Sequence, residues 1–148
     1  MESIDYIWED RKRLCGLPIG FTRYRLSRDR LFCESGLANL RLEEIELYRI
    51  KDLQLVRTLG QRIFGVGTLR VYSTDTTTPR LDLINIAEPM EVKEMIHRHM
   101  EEAKLKRRIR TMNNLNGLYS GEVPESLIRE MEEMGDADIL SEIRPGRA

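Results

Sequence analysis

Apolar positions in the first 86 residues fall in short runs of period two, separated by turn-forming residues. In FTRYRL, Thr22, Tyr24 and Leu26 alternate with Phe21, Arg23 and Arg25; SRD supplies turn chemistry, and RLFCESG follows to Gly36, which together predict a hairpin. In LANLRLEEIELYRI, Leu40 and Leu42 share one parity while Ile45 and Leu47 take the other, which predicts a bulge or short turn at Glu43 and Glu44. Further strands are expected on Leu53 and Leu55, on Leu69 and Val71, and on Leu81 and Leu83, the last two separated by TDTTTP. Six short strands with tight links predict an antiparallel sheet system, and DYIWED offers a seventh.

The period changes after Ile86. Pro89 suits the first helical position, Glu91 suits the positive end of the helix dipole, and no proline interrupts before Pro124. Val92, Met95, Ile96, His99, Met100 and Ala103 lie on one helical face, a stripe expected to cover an open end of the sheets. Beyond Ala103 the stripe thins to Leu105, Ile109 and Met112 within KLKRRIR, so the helix is expected to continue as a basic solvated rod until NNLNGLYSG ends it.

Composition narrows the class. At 148 residues with 41% hydrophobic content, one core is expected. The formal charge of −1 hides an asymmetry: residues 1–114 carry 21 Lys and Arg against 17 Asp and Glu, net +4, whereas residues 115–148 carry 3 against 8, net −5. The chain therefore divides into a domain over 1–114 and an acidic, partly helical tail over 115–148. The overall balance gives no reason to expect nucleic acid as a partner. Cys15 and Cys33 match no metal-ligand spacing and are expected as reduced, buried thiols. The charged N-terminus lacks the apolar core of a signal peptide, and no window suits a membrane span, so a soluble cytoplasmic protein is expected.

Catalytic chemistry finds little support. His97 and His99 are two apart and so point away from each other on a helix, and His99 falls on the apolar stripe. There is no GxSxG elbow, and Glu43, Glu44 and Glu46 are ordinary for an exposed strand turn. No enzyme activity, metal or cofactor is expected.

Strands followed by one long amphipathic helix outline a pleckstrin-homology-like barrel, an α+β but mainly β fold. Residues 6–112 resemble the bacterial pleckstrin-homology (PH) domain family, long a domain of unknown function. The resemblance lies in Tyr48-Arg49-Ile50-x-Asp52-Leu53, in Gln61-Arg62-Ile63-Phe64-Gly65-Val66-Gly67-Thr68, in the Asn85-Ile86 step before Pro89, and in the FTRYRLSRDRLFCESG hairpin. It implies a barrel of about seven antiparallel strands capped by the helix, and a non-catalytic module that binds proteins or copies of itself.

The glycines then take a structural meaning. A dinucleotide fingerprint would need a third glycine where Arg70 stands, and a helix where a strand pattern follows. Arg62, Phe64, Gly65 and Gly67 are read instead as a structural motif, with Phe64 fixing the link in the core and the glycines allowing an unusual φ or a close backbone approach.

Two basic clusters are candidate binding residues. Arg23, Arg25, Arg28 and Arg30 surround the first hairpin, where lipid-binding PH domains place cations; Asp29 in a short loop argues against a deep headgroup pocket. Lys104, Lys106, Arg107, Arg108 and Arg110 suit either an anionic surface or the acidic tail, whose Leu127, Ile128, Met131 and Met134 have helical spacing. The first reading is protein contact or self-association through strand edges and the helix. The alternative is weak contact with an anionic membrane through these cations.

Overall fold

Seven strands and two α-helices form in the order the sequence pattern predicts, with one helix added. The computed structural model describes residues 3–116 together with Ser126, Arg129, Glu130 and Glu133. Strands β1 (Tyr6–Arg11), β2 (Arg23–Ser27), β3 (Arg30–Ser35) and β4 (Arg41–Glu46) make one antiparallel sheet in chain order. A 3-10 turn at Leu47–Arg49 leads into a second antiparallel sheet of β5 (Ile50–Val56), β6 (Val66–Ser73) and β7 (Arg80–Ala87). Helix α1 (Leu59–Ile63) joins β5 to β6, and α2 (Pro89–Asn116) follows β7. Two compact units divide inside α2: Met1–Ala103, which holds both sheets, and Lys104–Ala148.

The hairpin turns on Arg28 and Asp29. Ser27 Oγ donates to the Asp29 carboxylate at 2.9 Å and accepts the Arg30 amide at 3.0 Å, while the Asp29 carbonyl accepts the Leu47 amide at 2.8 Å. Alternation along β2 and β3 buries Tyr24, Leu26, Leu31 and Cys33; Leu69 and Val71 on β6 and Leu81 and Leu83 on β7 face them in one core. Val92, Ile96 and Met100 of α2 join that core as the stripe requires. Each such burial contributes roughly 1.5–3 kcal/mol before chain entropy is set against it.

Several expectations need correction. β4 pairs with β3 in unbroken register from Ser35–Arg41 to Arg30–Glu46, with no bulge at Glu43 and Glu44. The parity break is real in composition but not in backbone: Ile45 faces the core, whereas Leu40 and Leu42 are exposed apolar residues at 70% and 59%. The link to β6 is a short helix. Thr58 caps it, its hydroxyl accepting the Gln61 amide while the Gln61 side chain accepts the Thr58 amide, so T-x-x-Q acts as a reciprocal capping box. Cys33 is buried as expected, but Cys15 is exposed; both are free thiols.

The second unit begins at Lys104. There Leu105 and Ile109 are buried and Arg107, Arg108 and Arg110 exposed, so this part of α2 is not solvated all round. Leu127, Ile128, Met131 and Met134, whose spacing predicts a helix in the acidic tail, lie outside the described residues; around them Ser126, Arg129, Glu130 and Glu133 are described, and are helical.

Candidate functional site

The hairpin arginines lie among carboxylates. Arg23 Nε is 3.5 Å from Glu9, Arg25 is 3.4 Å from both Glu9 and Glu34, and Arg30 is 3.6 Å from Asp29 and 3.7 Å from Glu44. Arg25 also lies over the Tyr6 ring, 5.1 Å from its centroid. Arg28 is exposed in the turn. Antiparallel pairing causes this interleaving, because Arg25 stands opposite Glu9 on β1 and beside the Arg23–Glu34 pair of β2 and β3. The face is charged, but its field is largely spent within itself.

On α2, Lys104 and Lys106 are half-buried and Arg107, Arg108 and Arg110 are exposed. Arg108 stands 3.9 Å from Glu130 in the same unit, both side chains well exposed, a geometry worth little on its own. His99 is half-buried with Nδ1 3.7 Å from Glu102, and His97 is exposed. Among the described residues no three metal-ligating side chains cluster.

The buried titratable groups are held neutral. Burial pushes the Cys33 thiol to about 11, with Glu43 adding to the rise, so Cys33 lacks the thiolate a nucleophile needs. Burial likewise pushes the Tyr24 phenol to about 12 against the lowering effect of the Ile84 amide. Both line a cleft of about 300 Å³ together with Lys12, Glu43, Arg80 and Asp82. Arg80 Nε already donates to Asp82 at 2.8 Å.

Asn85, Phe64 and the glycines organise one end of the strand unit. Asn85 adopts φ 52°, a left-handed conformation that asparagine tolerates, and its carbonyl accepts the Arg13 amide at 2.9 Å. Its side-chain oxygen accepts from Gln61 Nε2 at 2.7 Å, so the β1–β2 loop and α1 meet at one residue. Gly65 takes φ 68° with open space beyond it. Gly67 answers the other requirement: a Cβ there would lie 2.7 Å from Pro89 Cγ and 2.8 Å from Arg57 Cγ. Phe64 does not enter the core. It is 51% exposed, and Arg62 is exposed beside it, because the five-residue α1 buries no side chain and sets its apolar residues outward.

Sequence reasoning passed over the neighbouring loop. Leu14, Cys15, Gly16 and Leu17 form a tight turn closed by reciprocal backbone hydrogen bonds of 2.9 and 3.0 Å, with Cys15 and Gly16 at φ 51° and 81°. Leu14, Leu17, Ile19 and Phe21 are all exposed, as are Leu59 and Ile63 of α1. The signal was present: RLCGLPIGF is apolar where a strand connection is ordinarily polar.

No helix among the described residues is long and apolar enough to cross a membrane. No curated protein matches the chain. The family model described as Bacterial PH domain matches residues 16–100, a span from the tight turn of the first loop to the last core methionine of α2. That span covers more than half of the 148 residues and includes the hairpin, the Phe64–Gly67 link and the Asn85–Pro89 junction, and the chain belongs to the bacterial PH domain family.

Proposed function

We propose that this chain is a non-catalytic interaction module that contacts a protein partner or a second copy of itself by strand addition. Membership of a PH-like family supports a binding module in general. The observation that carries the finer reading is the outer edge of β4. Among the described residues no strand pairs with that edge, and Leu40 and Leu42 stand exposed at its start with Leu37 in the preceding loop. An edge with unpaired backbone groups and outward leucines offers hydrogen bonds for an added strand and apolar contacts to hold it. Arg41 lies between these leucines and Glu44 two residues beyond Leu42, paired with Glu43 and Arg30 respectively, so the rim of the edge is charged. The pairing of Arg23, Arg25 and Arg30 with carboxylates supports a solvated charged face at the hairpin over a headgroup pocket.

The test is a Leu40→Lys, Leu42→Lys variant followed by light scattering over a concentration series, with the thermal transition as the control for folding. Loss of self-association, or of a captured partner, in a variant that still folds supports the reading. A parent that stays monomeric and binds the same proteins as the variant overturns it.

A further inference from the structure

The β3–β4 register decides which backbone groups of β4 are open to a further strand. The Leu47 amide donates to the Asp29 carbonyl at 2.8 Å, and these two residues continue the β3–β4 pairing one step beyond Arg30–Glu46. Hydrogen-bonded pairs alternate with non-bonded pairs along an antiparallel ladder, so the odd-numbered residues of β4 direct their backbone groups to β3. Leu42, Glu44 and Glu46 then turn theirs outward, to an edge that no strand among the described residues covers.

Side chains alternate with the same period. Leu42 and Glu44 stand on the outer face of the sheet, with the exposed Leu40 one step before the strand. Arg41 and Glu43 stand on the other face, the one that carries Ile45 into the core, and Arg41 Nη2 meets the Glu43 carboxylate at 2.8 Å.

These two alternations restrict how a second copy can lie along the edge. Outward backbone groups must oppose outward backbone groups, so in an antiparallel, two-fold arrangement the axis passes through a residue of β4 and not between two. With the axis at Leu42, Leu42 lies opposite the second copy's Leu42, Leu40 lies diagonal to it, and Arg41 lies opposite the second copy's Glu43 at two equivalent positions. With the axis at Arg41 or at Glu43, that residue opposes its own copy, and like charges meet; at Glu44 the same happens. Only the Leu42 axis closes a ring of two cations and two carboxylates around a cluster of four leucines. Glu44, which there faces Leu40, is 3.7 Å from Arg30 of its own chain and so keeps a cation beside it.

We infer that two copies of this chain pair β4 to β4 about a two-fold axis at Leu42, joining two four-stranded sheets into one, with Arg41 and Glu43 setting the register. The inference rests on the strand-addition reading and names its partner as a second copy.

The experiment is sedimentation equilibrium of the full chain over a concentration series, with thermal transitions as the control for folding. The parent should move from monomer to dimer. Arg41→Glu and Glu43→Arg should each weaken the dimer about tenfold, because each sets like charges opposite one another at two positions. An equimolar mixture of the two variants should recover the parent's dimer, and the double variant Arg41→Glu, Glu43→Arg should recover it alone, since both arrangements restore opposite charges across the axis. The inference is wrong if the parent is monomeric throughout, if the single variants dimerise like the parent, or if neither the mixture nor the double variant recovers the dimer. A monomeric parent that binds another protein, and loses it in Leu40→Lys, Leu42→Lys, leaves strand addition standing and overturns self-pairing. A dimeric parent that Leu40→Lys, Leu42→Lys does not disturb overturns both.

Discussion

The Tyr24 hydroxyl accepts the backbone hydrogen of Ile84 at 3.0 Å, so a side chain from β2 occupies a position on the outer edge of β7 that a neighbouring strand would take. Asp10 repeats the device at the Ala87 amide, and the Arg13 amide reaches the Asn85 carbonyl between them. The two sheets are thus joined at β7 by single hydrogen bonds from β2, β1 and the residues after it. That edge is covered, while the outer edge of β4 is left without a strand partner among the described residues.

Removing the hydroxyl isolates this link. Tyr24→Phe keeps the buried ring but leaves the Ile84 amide without its acceptor, an expected loss of about 1–2 kcal/mol in urea unfolding. Hydrogen exchange should speed at Ile84 more than at Val71, which pairs within its own sheet. Unchanged stability and unchanged exchange at Ile84 would mean that the bond contributes nothing.

Alkaline titration probes the same core. Cys33 and Tyr24 are neutral when protonated, and burial raises them from 9.0 to about 11 and from 10.0 to about 12. The folded chain therefore holds protons that the unfolded chain releases. Stability is fully present below pH 9, falls as the pH rises from 9 towards 11 through Cys33, and falls further between 10 and 12 through Tyr24. Each group accounts for roughly 2–3 kcal/mol at the upper end of its window. Cys33→Ala should move the start of the decline from about pH 9 to about pH 10, whatever its effect at neutral pH. A decline of the same onset and slope in that variant would show that Cys33 does not drive it.

Much of the architecture was legible because its elements bury one face. Tyr24 and Leu26 alternate with arginines, and Val92, Ile96 and Met100 recur at helical spacing, so periodicity reports the core directly. The errors arose where apolar residues do not face the core. Leu40 and Leu42 suggested a bulge by assuming that every leucine points inward, and Phe64 was placed inside on the same assumption. The exposed loop of Leu14, Leu17, Ile19 and Phe21 has no period to detect. Only the three-dimensional meeting of Gly16 with Phe64, 48 residues apart, and of Gln61 with Asn85, 24 apart, makes one patch of these segments. The pairing of the hairpin arginines was hidden for a related reason: Glu9, Glu34 and Glu44 come from three different strands, and register alone brings them together.

The two glycines of the β6 link should respond differently to substitution. At Gly65 the demand is conformational: φ is 68° and no atom lies within 4 Å of an added Cβ. Gly65→Ala should cost about 1–2 kcal/mol, and Gly65→Asn less, since asparagine visits this region more readily. At Gly67 the demand is spatial. The ring of Pro89 is fixed by the first turn of α2, and Arg57 is tied by its Nε hydrogen bond to the Val66 carbonyl at 3.1 Å, so neither neighbour withdraws cheaply. Gly67→Ala should cost about 1–3 kcal/mol and Gly67→Val more, with Gly67→Asn giving no relief. Urea unfolding of the five variants decides the matter. If Gly67→Ala matches the parent, or if asparagine relieves position 67 and not position 65, the division of roles is wrong. Gly67 would then serve the chain's local conformation rather than the contact between β6 and the start of α2.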